Sequence, residues 1–225
     1  MTVEISGFSV IITKKRIKNL YLRVLPDGGA EVSAPLGMPD GEIIRFIESK
    51  SGWLLKQQKR LATLPQRTAK WESGELLPVF GKSYTLQTES GGRSYSLILD
   101  GGLARLRLRQ GCTAEQAEAF VNSWYGELLR EKLAELLPRW EGVTGLRCSE
   151  LRIKNMKSRW GSCNPRSGEI NLNLQLAKYQ PECLEYVVLH ELAHLNIPGH
   201  GADFKAYLDV YMPDWRQRRD LLNGK

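Results

Sequence analysis

Three histidines, His190, His194 and His200, fall within eleven positions of this 225-residue chain, and the chain has no others. The first two form an H-E-x-x-H stretch with Glu191, and the third follows His194 by six positions. On an α-helix, residues four apart lie about 40° apart around the axis and about 6 Å apart along it. His190 and His194 can therefore aim two imidazoles at one ion. Glu191 sits slightly rotated from them, able to reach a water at the metal without ligating it. Pro198-Gly199 is a helix stop, after which the chain can turn back and bring in His200 as a third ligand.

Three protein ligands leave one coordination position open, the mark of a catalytic rather than a structural zinc site. Zinc makes water acidic enough to be deprotonated near neutral pH, and a nearby carboxylate can take its proton. The expected chemistry is hydrolysis by a zinc-bound water activated by Glu191. H-E-x-x-H also occurs by chance in proteins that bind no metal. Against chance stand the apolar residues Leu184, Val188, Leu192 and Leu195 at helical spacing, the stop before His200, and the lack of any other histidine.

The elements that must position these groups divide the chain in two. Residues 1–110 read as a β-rich region with one helix, and residues 111–225 as the hydrolase domain. Strands are expected at 8–12, 20–24 and 30–34, the last after a Pro26-Asp27-Gly28-Gly29 turn. A helix is expected from Asp40 to about Arg60, followed by a linker at 62–75. Further strands are expected at 83–88, 94–99 and 104–109, the last two joined by an Asp100-Gly101-Gly102 turn. Thr113 opens the longest helical pattern, running to about Trp140. Strands at 151–156 and 168–174 precede the metal helix, expected from Pro181 to about Ile197. Glu169 to Leu174 alternates polar and apolar, so one face is buried. A helix at 202–211 and a basic tail complete the chain.

The stretches Met156-Lys157-Ser158-Arg159-Trp160-Gly161-Ser162-Cys163, Gly168 to Asn173, Tyr186 to His194, His200 and Tyr211 to Trp215 together resemble the YgjP-like metallopeptidase family. SprT-like proteases are similar at greater distance. The resemblance extends to the hairpin at 16–34 and the helix after it. It implies an α+β fold with a zincin-like catalytic domain, built from a backing helix, a small sheet and the H-E-x-x-H helix. It also implies that His190, His194 and His200 are zinc ligands and that Glu191 is the general base. Metzincins share the six-residue step to the third histidine but carry Gly three residues after the second, where this chain has Ile197.

Arg159, Asn171 and Asn173 are the candidate substrate-binding residues. Arg159 suits a carboxylate, a phosphate or a developing oxyanion, or else a buried acid. Trp160 reads as a core anchor and Gly161 as a tight turn, with 157–162 bordering the cleft and the 169–174 strand forming its wall.

A peptide or protein substrate leads. A phosphohydrolase acting on nucleotides or another polyanion is the alternative, because zinc-activated water also attacks phosphorus. A nucleic-acid-associated protease and a non-catalytic zinc-stabilised module are further alternatives; the intact Glu191 argues against the last. The net charge of +7 is uneven. Residues 1–70 carry twelve Lys and Arg against six Asp and Glu, and residues 151–168 carry five basic residues and no acid. Such blocks attract polyanions or are simply solvated. No run of eighteen apolar residues exists, which argues against a membrane span. The short apolar run at 8–12 precedes its basic residues, the reverse of a secretory signal, so a cytoplasmic location is expected. The four cysteines form no C-x-x-C pair and are expected to be free, buried thiols.

Overall fold

A computed structural model describes residues 2–5, 7–25, 29–55 and 70–224. The fold is α+β. By its internal contacts the chain separates into units 1–68 and 69–225, not at 110/111 as expected from the change in predicted element type. The physical reason is that the strands between 76 and 109 share one hydrophobic core with the helices that follow them.

In the first unit, β1 (Thr2–Ile5), β2 (Phe8–Lys15), β3 (Tyr21–Val24) and β4 (Ala30–Pro35) form a sheet in the order β1-β2-β4-β3. The sequence did not predict β1. Strands β2 and β4 alternate, burying Phe8, Val10, Ile12, Ala30, Val32 and Ala34. Those side chains form a core with Ile43 and Ile47 of α1 (Asp40–Ser49), and with Leu54 beyond it. The helix expected to continue to Arg60 breaks at Lys50 and resumes at 51–55. Its remainder, the Pro26 turn and most of the expected linker lie outside the described residues.

The second unit opens with β5 (Leu76–Val79), β6 (Lys82–Gly92), β7 (Ser96–Asp100) and β8 (Leu103–Arg109), in the order β5-β6-β8-β7. Gly101 and Gly102 both have positive φ, as a tight β7–β8 hairpin turn requires. Next comes α2 (Ala114–Thr144), whose first turn is closed by a Thr113/Gln116 capping box and whose end is a left-handed Gly145. It buries Ala117, Val121, Tyr125, Leu129, Leu133 and Trp140, and the Tyr125 hydroxyl donates to the Pro78 carbonyl at 2.6 Å.

A small sheet follows, made of β9 (Glu150–Lys154), β10 (Gly161–Asn164) and β11 (Glu169–Asn173). Strand β11 is central, antiparallel to β10 and parallel to β9. Ile170 and Leu172 face the core, in keeping with the alternation in sequence.

Helix α3 (Pro181–Ala193) starts with Pro181 in its first turn, where the missing N–H costs nothing. It is buried nearly all round, as befits the central helix of a domain. It ends at Ala193, four residues before the expected Ile197. Residues 195–197 form a tight turn in which the N–H groups of Asn196 and Ile197 both reach the Ala193 carbonyl. Helix α4 (Ala202–Tyr211) lies where it was expected. The basic tail is not a tail: Trp215–Leu222 form α5, anchored by buried Trp215 and Leu222. Glu185 on α3 takes ion pairs from Arg139 on α2 and Arg218 on α5, tying the three helices together.

All four cysteines are free thiols, but of the four only Cys183 is buried; Cys112, Cys148 and Cys163 are partly exposed. No helix among the described residues is long and apolar enough to cross a membrane.

Candidate metal centre

The end of α3 and the turn after it bring the three imidazoles together. The Nε2 atoms of His190 and His194 lie 3.2 Å apart, those of His194 and His200 3.2 Å, and those of His200 and His190 3.1 Å. Three neutral imidazoles cannot all donate to one another around such a triangle, and three lone pairs converging there would suit a cation. Two zinc–imidazole bonds of about 2.0–2.1 Å at a tetrahedral angle separate their nitrogens by roughly 3.3 Å, so the donor set fits that ion closely. Gly199, at φ +80°, supplies the left-handed turn that returns His200 to the helix end.

The other ring nitrogens are also placed. His194 Nδ1 lies 3.1 Å from the Ile197 carbonyl, which can only accept, so the proton sits on Nδ1 and Nε2 keeps its lone pair. His190 Nδ1 lies 3.3 Å from the Tyr186 hydroxyl. Phe204 of α4 packs its ring within 5.0 Å of all three imidazoles, centroid to centroid. Burial and the neighbouring imidazoles push His190 down to about 3, and burial pushes His194 down as well. Both rings are thus neutral at pH 7 and ready to bind a metal without first losing a proton.

Glu191 points to a different wall. It is 5% exposed, and its carboxylate lies against the backbone of β10. A Cβ at Gly161 would come within 2.5 Å of Glu191 Oε1. Gly161 is therefore needed for close approach, not for the tight turn expected of it, and it pairs with Leu172 as a strand residue. Burial pushes the Glu191 carboxyl up to about 7, opposed by the charge of Arg159. The carboxylate has no hydrogen bond among the described residues, yet it lines an open cleft of about 850 Å³ together with the three histidines.

Arg159, Trp160, Gly161, Ser162 and Cys163 form one side of that cleft. The adjacent wall is β10, an outer strand that the sequence did not predict, rather than β11, which lies one strand further from the cleft. Trp160 is half-buried and packs against the core beside Tyr179, with ring centroids 4.8 Å apart, as expected, and it also lines the cleft.

The two asparagines are elsewhere. Asn173 is 4% exposed, and its side chain is fully engaged with the backbone. Its Nδ2 donates to the carbonyls of Met156 (2.8 Å) and Arg159 (2.7 Å), and its Oδ1 accepts from the N–H groups of Gln175 (3.1 Å) and Met156 (3.3 Å). No donor or acceptor is left for a substrate, so Asn173 is a clamp on the 156–159 loop. Asn171 likewise does not line the cleft; its Nδ2 reaches the Ser162 hydroxyl at 3.4 Å. Asn173→Ala should cost roughly 1–3 kcal/mol in denaturant unfolding, because it orphans buried backbone groups.

Sequence reasoning missed Tyr186, Phe204, Lys205, Trp215 and Arg219, all of which line the cleft. Tyr186 was findable, since it lies four residues before His190 on the same helix face. The other four belong to α4 and α5, and no local pattern ties them to the metal helix.

The YgjP-like metallopeptidase domain family matches residues 18–225, nearly the whole chain. The chain belongs to that family. Its members are metal-dependent peptidases by family description, and the three-histidine cluster of this chain is where a metal ion fits. No curated protein matches the chain. One matching solved structure is the metallopeptidase zymogen jannalysin from Methanocaldococcus jannaschii. It is 23% identical over 42% of this chain and 89% of its own, with a TM-score of 0.31.

Proposed function

We propose that this YgjP-like protein is a zinc-dependent peptidase with His190, His194 and His200 as ligands and Glu191 as general base. The observation that carries the proposal is the triangle of Nε2 atoms, 3.1–3.2 Å on a side, opening into the same cleft as a buried carboxylate with no hydrogen-bond partner among the described residues. Zinc supplies Lewis acidity, polarising the scissile carbonyl and lowering the pKa of water. Glu191 takes a proton from the attacking water and delivers it to the departing amine. Its raised affinity for protons suits both halves of that task. Strand β10 offers an extended peptide a free edge beside the cleft, on which the substrate can add as a further strand. Tyr186 and Ile197 hold the imidazoles of His190 and His194 in orientation. Arg159 stands at the rim as a substrate-binding residue.

The test is hydrolysis of an unfolded protein by the purified enzyme, abolished by a chelator and restored by zinc. A nucleoside triphosphate panel assayed on the same sample checks the phosphohydrolase alternative. His200→Ala should weaken zinc binding by more than the ~10–100-fold typical of losing an outer-shell partner. Competition against a chromogenic chelator measures this, and unchanged affinity would remove His200 from the ligand set.

A further inference from the structure

The charges lining the cleft are one-sided. Its cationic side chains are Arg159, Lys205 and Arg219, and Glu191 is its one carboxylate among the described residues. Arg219 is compensated, with its guanidinium on Asp220 at 3.0 and 3.2 Å and over the Trp215 ring. Arg159 and Lys205 are not; neither side chain has a hydrogen bond or ion pair among the described residues. The rest of the 151–168 basic block does not line the cleft, and Arg152 is taken up by Glu150 and Glu169. Arg159 is thus the member of that block singled out for the site, close enough for its charge to act on Glu191.

A divalent ion held there by uncharged ligand atoms would keep its charge and add to this field. Trp160, Phe204, Trp215 and Leu222 give the cleft low-dielectric walls, which lengthen the reach of every charge inside it. A lysine or arginine carried in by a substrate would meet like charges. A carboxylate would meet a guanidinium whose donors have no partner among the described residues, which suits a charge-assisted bidentate pair. Repulsion of the wrong partner and attraction of the right one then act together.

Building on the peptidase reading above, we propose that the cleft selects substrates with an acidic residue beside the scissile bond. Arg159 binds that carboxylate, and Lys205 extends the same field. Digestion of an unfolded protein by the zinc-loaded enzyme, with cut sites mapped by mass spectrometry, supplies a parent peptide. Versions carrying Glu, Gln or Lys on each side of the cut are then compared. The Glu peptide should be cleaved with a kcat/KM about tenfold or more above the Gln peptide at one of the two positions, and further above the Lys peptide. The margin should shrink as salt is raised.

Arg159→Gln should remove most of the Glu-over-Gln margin, chiefly through KM, and Arg159→Glu should reverse the order of Glu and Lys. The side chain is exposed, so no core packing is disturbed. Lys205→Glu, on a different element, should narrow the margin without touching the 156–160 loop. An equal loss on all three peptides in Arg159→Gln, confined to kcat, would place Arg159 at the developing oxyanion and overturn the proposal. Equal cleavage of all three by the wild type would also overturn it while leaving the peptidase reading intact. Failure of the zinc-loaded enzyme to cut any peptide would overturn the peptidase reading, and the selectivity with it.

Discussion

Glu191→Gln should lower turnover about 10²–10⁴-fold, the range of general-base contributions, while making the metal-free protein more stable above pH 7. The two effects have one cause. Burial raises the folded-state pKa of this carboxyl from 4.5 to about 7, so the fold favours the protonated acid. Below about pH 4.5 the group is protonated whether folded or not, and burying it costs nothing extra. As pH rises from 4.5 the unfolded chain gains by ionising, and the cost reaches its full size above about 7. Each pKa unit is worth about 1.4 kcal/mol, so a neutral amide of the same shape should recover on the order of 2–3 kcal/mol there. Denaturant titrations of metal-free wild type and variant at pH 5 and pH 8 measure it, and the gap should widen at the higher pH. In the loaded enzyme the cation acts in the same sense as Arg159, and the gap should shrink. A variant less stable than wild type at pH 8 would mean that the carboxylate is held by a favourable interaction rather than strained by burial. Such a trade of stability for activity is common at buried catalytic groups.

Gly161→Ala should be nearly as damaging to turnover, although it adds only a methyl group. The new Cβ would lie 2.5, 2.7 and 2.8 Å from Oε1, Cγ and Cδ of Glu191. Glu191 is buried on the central helix, so it cannot swing away as a surface side chain would. Either the carboxylate leaves its position or β10 moves off α3. The overpacking should cost roughly 1–3 kcal/mol. Gly161 does not have positive φ, so backbone conformation offers no competing explanation. Zinc affinity should survive, because no histidine is touched. A double-mutant cycle isolates the contact: with Glu191→Ala the room reappears, and the stability cost of Gly161→Ala should largely vanish. Additive costs would show that the two positions do not meet.

The three-histidine cluster was legible in sequence because a helix converts spacing into direction. Four residues bring His190 and His194 to one face, and a Pro-Gly stop frees the chain to return with His200. The strands β2, β4 and β11 were legible for a similar reason, since alternation with a period of two marks a half-buried face. Strand β10 carried no such pattern: Gly161-Ser162-Cys163-Asn164 has no apolar alternation, and its place is set by pairing with β11. Helix α5 read as a basic tail because its charged residues outnumber its two buried anchors, Trp215 and Leu222, whose burial depends on α3. Asn171 and Asn173 show the limit most clearly. Sequence placed them on one strand face, and only the tertiary structure gave Asn173 to the backbone of the 156–159 loop. The sequence by itself determined which groups could hold a metal and move a proton, because that chemistry needs particular residue types at helical spacing. The tertiary structure decided which strand walls the cleft, why residue 161 must be glycine, and which cations line the cleft. Those depend on contacts between elements far apart in the chain, and no local period records them.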